Sequence, residues 1–259
     1  MRMMKKVLGT VTVLALSVSL LAGCGSTAAS PVSSAASTAA ENTTSSVVSE
    51  TTSAAADENE AAAAQLLNDL TGSYQELWPV ILADEYKQTW LDDCTALVGE
   101  DNAEAAFEKL SSMVTGDVYG EDAVKAYANG GGAYFCGFTN SLATLTFDGE
   151  TSTISGTDKD GNVLFSHTYH YIGMEPVHGL YEFESDDADS GEFTYFFLAP
   201  DTSAETYHIE FRYGSDAEAL SQYDAGEYAY WVASGISTDC DQTMIDNCIE
   251  LFCTENLAG

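Results

Sequence analysis

The sequence predicts a mainly β protein built on an antiparallel barrel, with helical additions before and after the strands, and three observations carry that prediction. From Ala133 onward the chain turns to aromatic and β-branched runs separated by turn residues. Asp148-Gly149 and Asp160-Gly161 stand where hairpins need them. The runs follow one another too closely to leave room for the crossover helices of a parallel sheet. Consecutive strands joined by short turns make a meander, and such a sheet closes on itself to remove its edges.

The chain opens with Arg2, Lys5 and Lys6, an apolar run from Val7 to Leu21, and then Ala22-Gly23-Cys24. A basic start, an apolar core and a small-residue cleavage site form an export signal. A core of about fifteen residues is short for a helix crossing roughly 30 Å of hydrocarbon. Leu21-Ala22-Gly23-Cys24 resembles the bacterial lipobox, so residues 1–23 read as a lipoprotein signal peptide and Cys24 as the lipidation site. The location this implies is the extracytoplasmic face of the cell membrane, with contact through the lipid anchor only. Residues 24–62 are rich in Ser, Thr and Ala and cannot bury enough apolar surface to offset chain entropy, which reads as a disordered tether. Residues 63–259 are enough for one domain with a sizeable core. The run from Glu58 to Leu70 can open a helix across that boundary.

The front of the domain reads helical: Pro79 to Val98, Asn102 to Met113 and Glu121 to Tyr127 carry apolar residues at turn spacing. Strands are expected near 133–138, 141–147, 150–156, 162–172, 178–184, 192–199 and 205–213, with a final one near 227–232. A closing helix over 239–253 is expected to present Met244, Cys248 and Leu251 on one side. The expected architecture is one barrel from about residue 133, helices 79–128 packed against it, and no second core.

Charge narrows the function. All 41 acidic residues lie beyond the leader, against five of the eight basic ones. Nucleic-acid binding depends on clustered Lys and Arg and is excluded as a function class. A strongly negative surface instead concentrates cations. Beyond Cys24 there are Cys94, Cys136, Cys240, Cys248 and Cys253, none in a C-x-x-C pair, and their pairing cannot be read from spacing. There is no G-x-S-x-G, H-E-x-x-H or glycine-rich phosphate loop, and the chain is not expected to be an enzyme.

His167, His170, His178 and His208 all lie in the strand-rich half. Residues two apart on a strand share a face, so Thr206, His208, Glu210 and Arg212 point one way and Tyr207, Ile209, Phe211 and Tyr213 the other. His208 and Glu210 are thus available as two ligands from one strand. The apolar face belongs to the core, which places His208 on the outer surface or the rim, where Arg212 is an alternative partner for Glu210. His167 and His170, three apart, point to opposite faces.

Four segments in register resemble one family. Asp69-Leu70-Thr71-Gly72-Ser73-Tyr74-Gln75-Glu76-Leu77-Trp78-Pro79 is similar to D-W-x-G-x-W-Q-S-V-Y-P, and Tyr169-His170-Tyr171-Ile172-Gly173 to Y-x-Y-x-G. Gly179-Leu180-Tyr181-Glu182-Phe183-Glu184 resembles G-V-R-Y-L-F-E. Leu198-Ala199-Pro200 with Thr206-Tyr207-His208-Ile209 resembles I-A-P…H-x-H-I, continued by Gly214 to Leu220. The family is ZinT, or YodA-like, whose domain also ends the AdcA zinc-binding lipoproteins. The resemblance covers Leu67 to Phe252 and implies a lipocalin-like (calycin) barrel that binds zinc outside the cytoplasm. It implies three histidine ligands, of which this chain keeps His208 alone: Thr206 replaces the first histidine of H-x-H, and the S-D-H position falls among Tyr195, Phe196 and Phe197.

The function so implied is capture of a divalent metal ion, zinc, and its delivery to an ABC importer, with His208, His178 and Glu210 as ligands. The alternative is a barrel that has lost its metal and offers Tyr195, Phe196 and Phe197 to a small apolar molecule or a protein partner. Location is testable at once. Cys24→Ala is expected to block lipidation and release the protein from the membrane fraction; unchanged retention on fractionation would count against the lipobox reading.

Overall fold

In the computed structural model the described residues are 58–200 and 208–258, so the leader, Cys24 and most of the tether lie outside them, as do Thr206 and Tyr207. The first described element is helix α1, running through 58–69. It is followed by β1 (Gly72–Glu76), α2 (Leu77–Ile81), α3 (Lys87–Val98), α4 (Ala103–Met113) and α5 (Glu121–Ala128). Then come β2 (Thr144–Asp148), β3 (Thr153–Thr157), β4 (Val163–Met174), β5 (Tyr181–Ser185), β6 (Tyr195–Leu198) and β7 (Ile209–Gly214). The short α6 (Ala217–Leu220), β8 (Ala233–Ser237) and α7 (Gln242–Leu257) complete the order.

Each strand pairs antiparallel with its successor, and β1 pairs with β8, so the described strands close into an eight-stranded barrel. The expected fold class is therefore present, with two corrections to its limits. The barrel begins at β1, ahead of helices α2 to α5, rather than at residue 133. Residues 133–138 form no strand: Phe135 makes only single bridges to Thr115 and Trp231. The last strand lies at 233–237 instead of 227–232, because Tyr228 and Trp231 are drawn into the core and Tyr230 takes a left-handed backbone with φ 57°.

The turns behave as their residues dictate. Asp158 Oδ1 accepts the N–H groups of Asp160 and Asn162, both at 2.9 Å, and Gly161 takes φ 82°, which returns the chain from β3 to β4. Gly149 has a different reason to be glycine: a Cβ there would stand 2.4 Å from the Asn68 Cα. That close approach seats the end of α1 on the β2–β3 turn, and Leu66 and Leu67 of α1, with Leu70 just after it, join the barrel core.

Inward positions fill the barrel with aromatic rings. Phe165 stacks on Phe193 at 3.9 Å, and Phe196 lies between Phe165 and Tyr213 with ring centroids 5.9 and 5.4 Å away. Phe147, Phe183, Phe196, Phe211 and Tyr213 are fully buried.

A second buried cluster, contrary to expectation, lies outside the barrel between α2, α3, α4, α7 and the outer face of β8. The helix read over Pro79 to Val98 is in fact two, α2 and α3, separated by an extended Ala83 and a turn over Asp84–Tyr86. The break lets both tryptophans reach the cluster: Trp78 meets Phe252 at 4.8 Å, and Trp90 meets it at 5.8 Å while donating Nε1–H to the Ile81 carbonyl at 2.8 Å. On α7 the buried residues are Ile245, Cys248, Ile249 and Cys253, so of the three expected there only Cys248 is fully inside.

The barrel core supplies a stability prediction. Phe196→Ala is expected to cost about 3–5 kcal/mol, because a ring closed in on every side leaves a cavity, whereas exposed Val163→Ala should stay within about 0.5 kcal/mol. Denaturant midpoints of the two variants check the contrast.

Candidate metal centre

On β7 the alternation places Ile209, Phe211 and Tyr213 in the barrel core and turns Glu210 and Arg212 outward. His208, just before the strand, lies with Glu210: its Nε2 is 3.8 Å from Glu210 Oε1. The outer face is not free surface there. Helix α7 follows β8 and brings the buried Cys248 thiol into hydrogen-bond contact with the His208 imidazole, which is 18% exposed. Burial by itself lowers the His208 pKa, but the contact with Cys248 and the nearby Glu210 carboxylate outweigh it and hold the imidazole well above its ordinary value.

A second thiol stands beside this group. Cys136 is buried beside Ser234 and Trp78 and feels the charge of Glu210. Burial, reinforced by Glu210, pushes its pKa up to about 12. Ser234 is the cross-strand partner of Glu210 and donates its backbone N–H to the Cys136 carbonyl at 3.0 Å. The seam between β7, β8 and α7 therefore gathers an imidazole, a carboxylate and two thiols.

Arg212 does not neutralise Glu210. Fully buried, its guanidinium donates to the carbonyls of Leu220, Gln222 and Tyr228 and lies 4.2 Å from the Tyr223 ring, pinning the 220–228 segment against the barrel wall. His178 belongs to that neighbouring arrangement. Its ring packs on Tyr223 at 3.8 Å, and its Nδ1 is 3.3 Å from Oε2 of the fully buried Glu175, whose carboxylate also accepts the N–H groups of Val177 and His178. His167 and His170 do point to opposite faces of β4, each on its own exposed aspartate: His167 on Asp187 and His170 on Asp186, both at 2.8 Å.

Of the three expected ligands, the structure thus brings together His208 and Glu210 and sets His178 apart with Glu175 and Tyr223. Among the described residues no group of three or more His, Cys, Asp or Glu is already arranged to hold a metal ion. The donor types at the seam nevertheless suit zinc, which takes imidazole nitrogen, thiolate sulfur and carboxylate oxygen. Cys248 was not among the residues expected at the site; its place on the buried side of the last helix was legible, but its meeting with His208 was not. The aromatic positions offered to an apolar ligand are occupied otherwise. Phe196 and Phe197 are fully buried, and the Tyr195 hydroxyl donates to Glu184 at 3.1 Å.

Fold and site together define a closed antiparallel barrel with a polar, thiol-bearing seam under its last helix. Neither a family model nor a curated protein matches the chain. Among solved structures, the chain is similar to the Zn(II)-bound ZinT-like domain of Streptococcus pneumoniae AdcA, with 17% identity, a TM-score of 0.45, and coverage of 71% of this chain and 89% of that one. It is also similar to Zn(II)-bound AdcA of the same organism, at 16% identity and a TM-score of 0.42, covering 72% of this chain and spanning about a third (35%) of that one. The first is a domain of the family that the segments between Leu67 and Phe252 resemble.

The raised pKa of His208 has a definite sign for stability. The folded protein holds this proton more tightly than the unfolded chain, so the contribution is fully present below about pH 6.5 and is lost as pH rises through the higher folded-state value. Urea midpoints of the metal-free protein are expected to fall between pH 6 and pH 9 by more than those of His208→Gln; equal slopes would show that the contacts to Cys248 and Glu210 do not hold the proton.

Proposed function

We propose that the protein is a lipid-anchored, extracytoplasmic zinc-binding protein that captures the ion and hands it to an ABC importer, with His208, Glu210 and Cys248 as its ligands. The observation that carries this reading is the contact of the His208 imidazole with both the Cys248 thiol and the Glu210 carboxylate. A proton shared by such groups occupies the place a metal takes, since zinc binding displaces protons from its ligands. The three donors are not arranged around one centre among the described residues, so binding requires α7 to close on β7, with Cys136 beside them as a fourth donor. Glu210, 49% exposed, gives the ion a route from solvent. The acidic surface supports the reading by concentrating cations around that entrance. The lipobox-like Leu21-Ala22-Gly23-Cys24 supports the location, and the family resemblance supports zinc as the cargo.

Titration calorimetry of the full metal-free chain with zinc is expected to show saturable binding tighter than roughly micromolar, about −8 kcal/mol. His208→Ala is expected to lower the affinity by more than the ~10- to 100-fold that losing a supporting hydrogen-bond partner costs, and Cys248→Ser to weaken it strongly as well. Heat indistinguishable from buffer for the unaltered protein would sink the proposal. Affinity surviving His208→Ala within about tenfold would place the metal elsewhere.

A further inference from the structure

Helices α3 and α7 pack side by side in the second core, and Cys94 and Cys253 meet at their contact with sulfurs 3.9 Å apart. Both residues have no solvent exposure. We propose that Cys94 and Cys253 form a disulfide in the oxidised protein, joining α3 to α7. The other three thiols are placed elsewhere: Cys136 lies beside Ser234 and Trp78, Cys248 meets His208, and Cys240 is half-exposed before α7 begins. Cys248 and Cys253 are five apart on one helix, which turns their side chains roughly 140° from each other. One therefore faces β7 and the other α3.

A disulfide needs sulfurs about 2.05 Å apart, so the two must close by roughly 2 Å in total, a distance side-chain rotation on two helices can supply. The chemistry is thiol–disulfide exchange with a low-molecular-weight disulfide such as oxidised glutathione. One cysteine forms a mixed disulfide and releases one glutathione thiol. The other, as thiolate, attacks the protein sulfur of that mixed disulfide, forming the Cys94–Cys253 bond and expelling the second glutathione as a thiolate that takes up the proton. Two protein thiols are oxidised and one oxidised glutathione is reduced. Burial raises the pKa of both thiols, so little thiolate exists once the helices have packed. The bond accordingly forms while the chain folds, before this core closes.

In the cell the oxidant comes with the export reading, but the geometry can be tested without it. The full chain, reduced and unfolded, is refolded in a mixture of reduced and oxidised glutathione, unfolded again without reductant, alkylated and digested. Expected is one cross-linked peptide pair carrying Cys94 and Cys253, with Cys136, Cys240 and Cys248 alkylated. Alkylation of both Cys94 and Cys253, or a bridge from either to any other cysteine, Cys24 included, overturns the proposal. As a second measurement, reductant is expected to lower the melting temperature of the refolded protein by on the order of 10 °C, as the large loop closed by the bond implies, and to leave the Cys94→Ala/Cys253→Ala double variant unmoved. Equal responses in both proteins would also overturn it. Zinc affinity does not enter either readout, so failure here is distinguishable from failure of the metal site.

Discussion

Pairing of β1 with β8 is the constraint on which the other features depend. Tyr74, Gln75 and Glu76 stand opposite Ser237, Ile236 and Gly235, which removes the two open edges of the meander in one step. The same register fixes the helices. α2 begins at Leu77, directly after β1, and α7 begins shortly after β8, so both leave the barrel at the same seam. Trp78 and Phe252 meet for that reason, and the second core grows outward from their contact.

A consequence of this layering is that the outer face of β7 is buried at Arg212 and open to solvent only at Glu210. Its inner face is aromatic; its outer face is covered in part by α7 and in part by the 220–228 segment. A polar residue on such a face must find partners within the protein, because an unpaired buried donor or acceptor costs about 1–3 kcal/mol. Arg212 meets it at both terminal nitrogens through carbonyls, leaving Nε alone without a partner among the described residues, and His208 meets it through Cys248 and Glu210. The fully buried Glu175 meets it through two backbone N–H groups.

Much of the barrel was legible in the chain, because its signals are local. Asp148-Gly149 and Asp160-Gly161 each join the strands they were expected to join, and the alternation around His208 correctly placed Glu210 and Arg212 outside. The errors fall where tertiary contacts decide. β1 is five residues long, lies between two helices and buries only Tyr74, so it carries no periodicity of its own. Residues 133–138 have strand composition but find single bridges rather than a ladder. At the site, strand spacing could pair His208 with Glu210. No spacing rule connects His208 to Cys248, forty residues on, since that contact exists only through the β8–α7 return. His178, expected at the rim, was claimed instead by Glu175, three residues away, and by Tyr223.

The order of elements along the chain has a kinetic meaning. β1 is synthesised among the first parts of the domain, and its partner β8 and the covering α7 among the last. Neither barrel closure nor the meeting of His208 with Cys248 can occur while the ribosome still holds the final segment. Contacts between such distant parts of a chain form slowly. Until they form, the donors remain scattered along an open polypeptide, and the seam comes into being as a late event of folding.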